Sequence, residues 1–132
     1  MADSFEISTT LEADPQTIFE AWLDGVEHGR FIEGVAEIEN RPGGAFRIWD
    51  GYITGVTVET EAPTRIVQRW RTTEFPEGSP DSRLEVLLEP VGKGSRLTLR
   101  HTEIPDGQGS MYRSGWEEHY FEKMKGHFAK RT

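Results

Sequence analysis

The four histidines are the side chains of this sequence that can exchange a proton near neutral pH. His101 falls on the apolar side of an alternating run, together with Leu97 and Leu99, which predicts an inward position. There it could orient a ligand or act as a general base. We favour a core histidine bonded to a polar neighbour, because buried polar atoms nearly always find partners. Glu117 could be its acidic partner, but Ser114 and Glu117 also fit the capping box S-x-x-E, which we favour.

The other motifs that carry chemistry are absent or incomplete. His119 and Glu122 lie three positions apart and His127 stands apart from them, so the H-E-x-x-H spacing of a metal site does not occur. The absence of cysteine excludes thiolate nucleophiles, zinc–thiolate sites and disulfides. The glycine-rich stretches Gly92–Ser95 and Gly107–Ser110 lack the rest of a phosphate-binding motif and are interpreted as turns. The residues therefore indicate neither a metal site nor a catalytic constellation.

The strongest pattern in the chain is an aromatic stripe over Ser114–Phe128. Its members are Trp116, Tyr120, Met124 and Phe128. A spacing of four residues, with charged residues on the opposite side, predicts an amphipathic helix that begins at Ser114 or a turn earlier near Ser110. Burial of each large side chain contributes roughly 1.5–3 kcal/mol, so a broad apolar surface must cover the stripe. We interpret the stripe as core, with the lining of a ligand cavity as the alternative.

The rest of the chain must supply that surface. Alternating residues over Phe5–Leu11 predict a first strand, and Asp14-Pro15 begins a short helix that ends at Asp24-Gly25. A second brief helix is expected before Gly34. From Val35 onward, short alternating runs separated by turn residues indicate about six antiparallel strands.

This order of elements predicts an α+β domain in which a curved antiparallel sheet of about six to seven strands wraps around the last helix. Two short helices follow the first strand. Such a sheet can leave space beneath the helix when its side chains do not fill it. The pocket would be lined by Phe46, Trp70, His101, Trp116 and Tyr120.

Length and charge restrict the class of protein. The 132 residues predict a single domain over 1–132, and the formal net charge of −8, with scattered basic residues, argues against nucleic acid and membrane surfaces as partners. Arg65, Arg69 and Arg71 share the outer face of one predicted strand; a docking role is possible in principle, but we favour simple solvation. The N-terminus has no signal-peptide pattern and no apolar run approaches roughly 20 residues, so a cytoplasmic protein is expected.

Several segments together resemble a known family over nearly the whole chain. They are Arg41–Phe46 (RPGGAF), Asp50-Gly51 followed by Gly55, Ala62–Arg71, Phe75–Gly78 and Gly115–Phe128. In these segments the chain is similar to the C-terminal domain of the activators of the heat-shock-protein-90 ATPase, within the helix-grip (START-like, pollen-allergen-like) superfamily. The most specific match is the GW-xx-xYFE-xx-K-xx-F pattern at Gly115–Phe128.

The resemblance implies the helix-grip fold, no cofactor and no agreed catalytic residues. Eukaryotic activators carry a separate N-terminal domain for chaperone docking, for which this chain has no room. The first functional hypothesis is a non-enzymatic domain that holds a hydrophobic small molecule between the sheet and the C-terminal helix. The alternative is a co-chaperone-like protein of the stress response that binds and stimulates a heat-shock-protein-90-type ATPase. An enzyme with His101 as its base is the least favoured hypothesis.

Overall fold

The computed structural model describes residues 2–129. The elements follow the predicted order of one strand, a helical pair, six more strands and a long helix. They are β1 (Asp3–Leu11), α1 (Pro15–Leu23), α2 (Gly25–Ile32), β2 (Ala36–Ile38), β3 (Ala45–Ile48), β4 (Ile53–Glu61), β5 (Arg65–Thr72), β6 (Ser82–Val91), β7 (Gly94–Ile104), α3 (Gly109–Gly115), a π-helical segment (Trp116–Phe121) and α4 (Glu122–His127). The last three elements are continuous and are called the C-terminal helix below.

The strands form one sheet in which every neighbouring pair is antiparallel. Their order is β1-β7-β6-β5-β4-β3-β2, so the seven-stranded antiparallel sheet expected from the sequence is confirmed. Residues alternate between the two faces as the patterns predicted: Ile66, Gln68 and Trp70 of β5 are buried, whereas Arg69 is exposed. The inner face and the C-terminal helix enclose the core.

A glycine makes room for the aromatic residues on the inner face. Gly55 of β4 pairs with Phe46 on one side and Trp70 on the other. A Cβ atom there would lie 1.9 Å from the backbone oxygen of Arg69 and 2.5 Å from the ring of Phe46. Only glycine allows the strands and rings to approach this closely.

The helix α1 begins where the sequence predicted, and α2 lies in the segment before Gly34 where a second brief helix was expected. The Asp14 carboxylate accepts the backbone N–H of Thr17 at 2.9 Å, with Pro15 at the first helical position. The Asp24 carboxylate accepts the N–H of Val26 at 2.9 Å and so begins α2 directly after α1.

The second of these helices lies against the outer edge of β2. A Cβ atom at Gly25 would lie 2.9 Å from the backbone oxygen of Ala36, and one at Gly29 would lie 2.7 Å from the oxygen of Gly34. These two glycines on one helix face therefore let the helix backbone contact the edge of the sheet. The edge is covered rather than open to solvent.

The C-terminal helix begins at Gly109, one turn before Ser114, close to the second of the two predicted starts. The predicted capping box of Ser114 and Glu117 is wrong, because Ser114 lies inside the helix. The carboxylate of Asp3 in β1 accepts the N–H groups of Gly107 at 3.0 Å and Gly109 at 2.8 Å. The cap comes from a residue 106 positions away, which no local pattern can reveal.

The C-terminal helix packs its aromatic stripe on the inner face of the sheet, as predicted. Trp116, Tyr120 and Met124 are buried, and Phe128 is partly buried against the same core. Within residues 2–129 no helix is both long and apolar enough to cross a bilayer.

The arginines of the outer sheet face are paired with carboxylates. Their ion pairs are Arg65 with Glu85 at 2.6 Å, Arg69 with Glu103 at 3.4 Å and Arg71 with Asp81 at 2.8 Å. Burial alone would raise the pKa of Glu85, but the hydrogen bond from Arg65 and the charges of Arg65, Arg83 and Arg100 hold that pKa below its usual value. A row of paired charges agrees with the solvated surface that we favoured.

Candidate functional site

The middle of the C-terminal helix is a π-helix, which the sequence did not predict. Its backbone bonds reach one residue further than in an α-helix, as from the N–H of Glu122 to the carbonyl of Glu117. The longer turn brings side chains four residues apart more nearly into line, and the rings of Trp116 and Tyr120 meet edge to face with centroids 4.6 Å apart. Such segments are frequent at functional sites.

A cleft of about 560 Å³ opens beside this π-helical segment. It lies between the C-terminal helix on one side and the loop joining β3 to β4, with the end of α2, on the other. Its aromatic lining consists of Trp49, Tyr52, Trp70, Tyr112, Trp116 and Tyr120. Its charged or titratable rim consists of Glu33, Glu118, His119 and Lys123. The volume lies in the range of small-molecule sites, roughly 300–1,000 Å³.

Three of the five residues predicted to line a pocket line this cleft, namely Trp70, Trp116 and Tyr120. Phe46 and His101 do not border it. Phe46 borders a separate interior void of only about 10 Å³. The space directly beneath the helix is therefore nearly filled by side chains, and the larger opening lies to one side of it.

His101 takes part in a chain of hydrogen bonds inside the core. The indole N–H of Trp116 donates to its Nδ1 at 3.1 Å, so its Nε2 carries the proton and donates to Ser82 Oγ at 2.8 Å. Ser82 in turn donates to the carbonyl of Trp70 at 2.6 Å. Burial lowers the pKa of His101 to about 3, so the ring is neutral at pH 7. Glu117 is exposed and does not contact it.

His28 forms a second buried pair, which sequence reasoning missed. Its Nδ1 donates to the carbonyl of Trp22 at 2.8 Å, and its Nε2 accepts the hydroxyl of Tyr120 at 2.6 Å. Burial lowers the pKa of His28 to about 4 and raises the pKa of Tyr120. The pair fixes one aromatic wall of the cleft to α2.

Hydroxyl groups close the opposite end of the cleft. The hydroxyl of Tyr52 donates to the carboxylate of Glu74. The pKa of Tyr52 is raised to about 12, mainly by burial and to a smaller extent by this hydrogen bond. Tyr112 donates to Gln108 at 2.8 Å and accepts the hydroxyl of Thr72 at 2.6 Å. The bond between Thr72 and Tyr112 connects the end of β5 to the start of the C-terminal helix.

The side chain of Trp70 is held by ring contacts rather than by its N–H. Its ring meets His101 at 4.7 Å and 88°, and Tyr112 at 5.1 Å and 83°. Its buried indole N–H finds no acceptor among the described residues. Edge-to-face contacts of this kind stabilise a fixed ring position.

Sequence reasoning missed Trp49, Tyr52, Tyr112, His119 and Lys123 as lining residues. Trp49 and Tyr52 flank the Asp50-Gly51 turn, and a turn signal does not say that the side chains beside it face a cleft. One signal was available in the sequence. Aromatic residues flank a predicted hairpin turn, and they could have been expected to line a site together with the aromatic helix.

A curved antiparallel sheet that holds a long C-terminal helix, with a cleft between them, defines the helix-grip fold. Similar folds are seen in solved structures. An HSP90 activator from Plasmodium falciparum has a TM-score of 0.85 at 26% identity, covering 93% of this chain and 94% of its own. CalU16 from Micromonospora echinospora has a TM-score of 0.79 at 27% identity, covering 96% of this chain and 76% of its own. Ara h 8.0201, at 19% identity and a TM-score of 0.74, covers 97% of this chain and 98% of its own and shows the fold alone.

Residues 12–129 match the model of the family described as "Activator of Hsp90 ATPase homolog 1-like protein", and the chain belongs to this family. The suspected family is thereby confirmed. The human "Activator of 90 kDa heat shock protein ATPase homolog 1" is 25% identical over 122 residues, which are 92% of this chain and 36% of the relative. The chain thus spans about a third of the length of the curated relatives it matches.

Proposed function

We propose that this chain is a non-enzymatic binding domain that holds an apolar small molecule in the cleft between the C-terminal helix and the β3–β4 loop. The observation that carries the proposal is the aromatic cleft of about 560 Å³. A concave cleft of this size with a mostly aromatic lining is typical of small-molecule sites. The proposal places the ligand beside the helix and keeps Trp70, Trp116 and Tyr120 as lining residues.

The two histidines buried behind the cleft do not supply a catalytic base. Both nitrogens of His28 and of His101 are engaged in hydrogen bonds within the core. Neither imidazole therefore offers a free base to a molecule in the cleft. Phe46 and His101 act in this proposal as packing behind the lining residues, not as ligand contacts.

Two glycines of the C-terminal helix allow a direct test. Gly115 lines the cleft and Gly126 lies outside it, and a Cβ atom at either position would meet nothing within 4 Å. Gly115→Phe should place a ring in the cleft without disturbing the core, whereas Gly126→Phe is the matched control. The probe is the uncharged dye N-phenyl-1-naphthylamine, whose fluorescence rises in apolar surroundings.

The wild type and Gly126→Phe should bind the dye with similar Kd, and Gly115→Phe should raise the Kd by about tenfold or more because the ring occupies the ligand volume. Thermal unfolding of all three proteins verifies that each is folded. Equal binding by Gly115→Phe and the wild type, or no binding by any of them, would overturn the proposal.

A second candidate function is suggested by the relatives. Similarity to an HSP90 activator over 93% of the chain favours an interaction with a heat-shock-protein-90-type ATPase. Purified chaperone from the same organism should then hydrolyse ATP faster when this protein is added, and size-exclusion chromatography should show a complex. An unchanged rate together with no complex at micromolar concentrations would rule this candidate out.

A further inference from the structure

One wall of the cleft is formed by Trp49 in a backbone conformation that bulky residues rarely adopt. Its φ is +52°, and the next two residues, Asp50 and Gly51, have φ of +54° and +90°. Two backbone bonds hold this turn: the N–H of Trp49 donates to Val35 at 2.9 Å, and its carbonyl accepts the N–H of Tyr52 at 3.1 Å. A strained conformation persists only where the surroundings fix it, and it is concentrated at functional sites.

The indole ring is also fixed from behind. A Cβ atom at Gly34 would lie 2.5 Å from Nε1 of Trp49, so only glycine leaves room for the ring. On the other side, the ring meets His119 at 6.2 Å and 79° and Tyr120 at 5.9 Å and 80°. Trp49 therefore closes the cleft against the π-helical segment while remaining only half-buried.

The residues that line the cleft determine which ligand shape binds with the highest affinity. Ring-to-ring contacts contribute beyond the apolar area that they bury, and an aliphatic chain of equal area does not make them. Among the aromatic lining residues, Trp49 and Tyr52 come from the loop and are only partly buried against the core. Tyr52 is held by its hydrogen bond to Glu74. Trp49 can therefore determine selectivity without being required for the fold.

The rim determines which ligand charge is accepted. Lys123 lines the cleft but is already paired with Glu33 at 3.2 Å. Glu118 forms no ion pair with any residue of the part that the structure describes, and the whole chain carries a net charge of −8. A carboxylate entering the cleft would lose its hydration and meet a negative rim.

We propose that Trp49 and the Glu33–Lys123 ion pair are the selectivity elements of the cleft, which takes uncharged molecules that carry an aromatic ring and rejects carboxylates. This inference rests on the proposed function, because it concerns the same cleft. It assigns a ligand class and two determinants of specificity that lie outside the packed core.

Three probes separate shape from charge. Anthracene-9-methanol and anthracene-9-carboxylate share one ring system and differ in charge, and 1-dodecanol is uncharged but aliphatic. Isothermal titration calorimetry gives each Kd. The wild type should bind the aromatic alcohol about tenfold more tightly than the carboxylate, because a charge is costly to desolvate. It should also bind the aromatic alcohol about fivefold more tightly than dodecanol, because only the former makes ring contacts.

Variants then assign each preference to its residue. Trp49→Leu should abolish the preference for the aromatic alcohol over dodecanol, and Trp49→Phe should restore most of it. Glu33→Gln frees Lys123 and should tighten carboxylate binding about fivefold without changing the alcohol, because the freed ammonium becomes available to the anion. Glu27→Gln, whose partners Arg30 and His127 both lie outside the cleft, is the control and should leave all three Kd values unchanged.

The outcomes keep the two proposals apart. Failure of all three probes to bind the wild type overturns the proposed function itself. Binding without the expected ranking, or a ranking that Trp49→Leu and Glu33→Gln leave unchanged, overturns only the selectivity inference. Should Trp49→Leu not fold, the wild-type ranking and Glu33→Gln still decide the outcome.

Discussion

At the scale of single residues, two buried polar groups of the C-terminal helix are each matched to a histidine. The hydroxyl of Tyr120 lies 2.6 Å from Nε2 of His28, and the indole N–H of Trp116 lies 3.1 Å from Nδ1 of His101. Each pair joins the helix to a different part of the fold. A buried polar group that loses its partner costs more than the bond itself contributed.

Tyr120→Phe tests this directly. The substitution removes only a hydroxyl and leaves Nε2 of His28 buried without a donor, so the free energy of unfolding should fall by about 1–3 kcal/mol. Urea unfolding measures the change. In a double-mutant cycle with His28→Leu, we expect a coupling of about 1 kcal/mol, because each single change already breaks the bond. Strictly additive effects would contradict the pairing.

Single residues also show what the sequence could reveal about the site. The alternation of β5 and the helical spacing of the stripe placed Trp70, Trp116 and Tyr120 in the interior, and the structure brings these three to the cleft. Trp49 could not be found in this way. Its position depends on a turn with positive φ and on the absence of a side chain at Gly34. Neither the backbone angle nor the contact with Gly34 can be read from the pattern of residues along the chain.

At the scale of elements, the glycines of α2 let this helix lie against β2. Two of them allow the helix backbone to contact the backbone at the edge of the sheet, whereas Gly126 in α4 has open space around it. The same chemical substitution should therefore have opposite effects in the two helices. The intrinsic helix preference for alanine over glycine is the same at both positions. A difference between the two changes in the free energy of unfolding therefore measures the effect of the close contact at α2.

Gly29→Ala should lower the free energy of unfolding by about 1–3 kcal/mol, because its methyl group would lie 2.7 Å from the backbone oxygen of Gly34. Gly126→Ala should raise it by up to about 1 kcal/mol. Thermal or urea unfolding of both variants provides the comparison. Shifts of the same sign and size would show that α2 does not depend on this close approach.

Elements with local signals were predicted well, and elements set by distant contacts were not. The Asp14-Pro15 signal gives the start of α1 and Asp24-Gly25 gives its end, because a cap acts within one turn. That Asp24 also begins α2 was not predicted. The C-terminal helix begins close to the earlier of its two predicted starts, but its cap was not predicted because it is Asp3, in another element. The π-helical segment was missed because aromatic residues at a spacing of four fit an α-helix equally well.

At the scale of the whole molecule, the two buried histidines make stability depend on pH. The pKa of His28 is lowered from 6.5 to about 4, and the pKa of His101 from 6.5 to about 3, both by burial. Below pH 6.5 the unfolded chain binds protons that the folded protein does not accept. Stability is therefore complete above pH 6.5 and decreases as the pH falls through the interval down to these lowered values.

The free energy of unfolding should fall by about 3 kcal/mol between pH 6.5 and pH 5, with each histidine contributing about half. Carboxylates contribute little in this interval because their unfolded pKa values lie near 4. Urea unfolding at a series of pH values measures the slope. A constant free energy across the interval would contradict the buried, neutral state of both rings.

The helix that covers the sheet follows all seven strands in the chain, since β7 ends at Ile104 and the helix ends at His127. All seven strands therefore precede the segment that covers their inner face. Any chain in which the strands have paired but this helix has not yet docked exposes aromatic surface to water, and exposed apolar surface of this kind promotes aggregation.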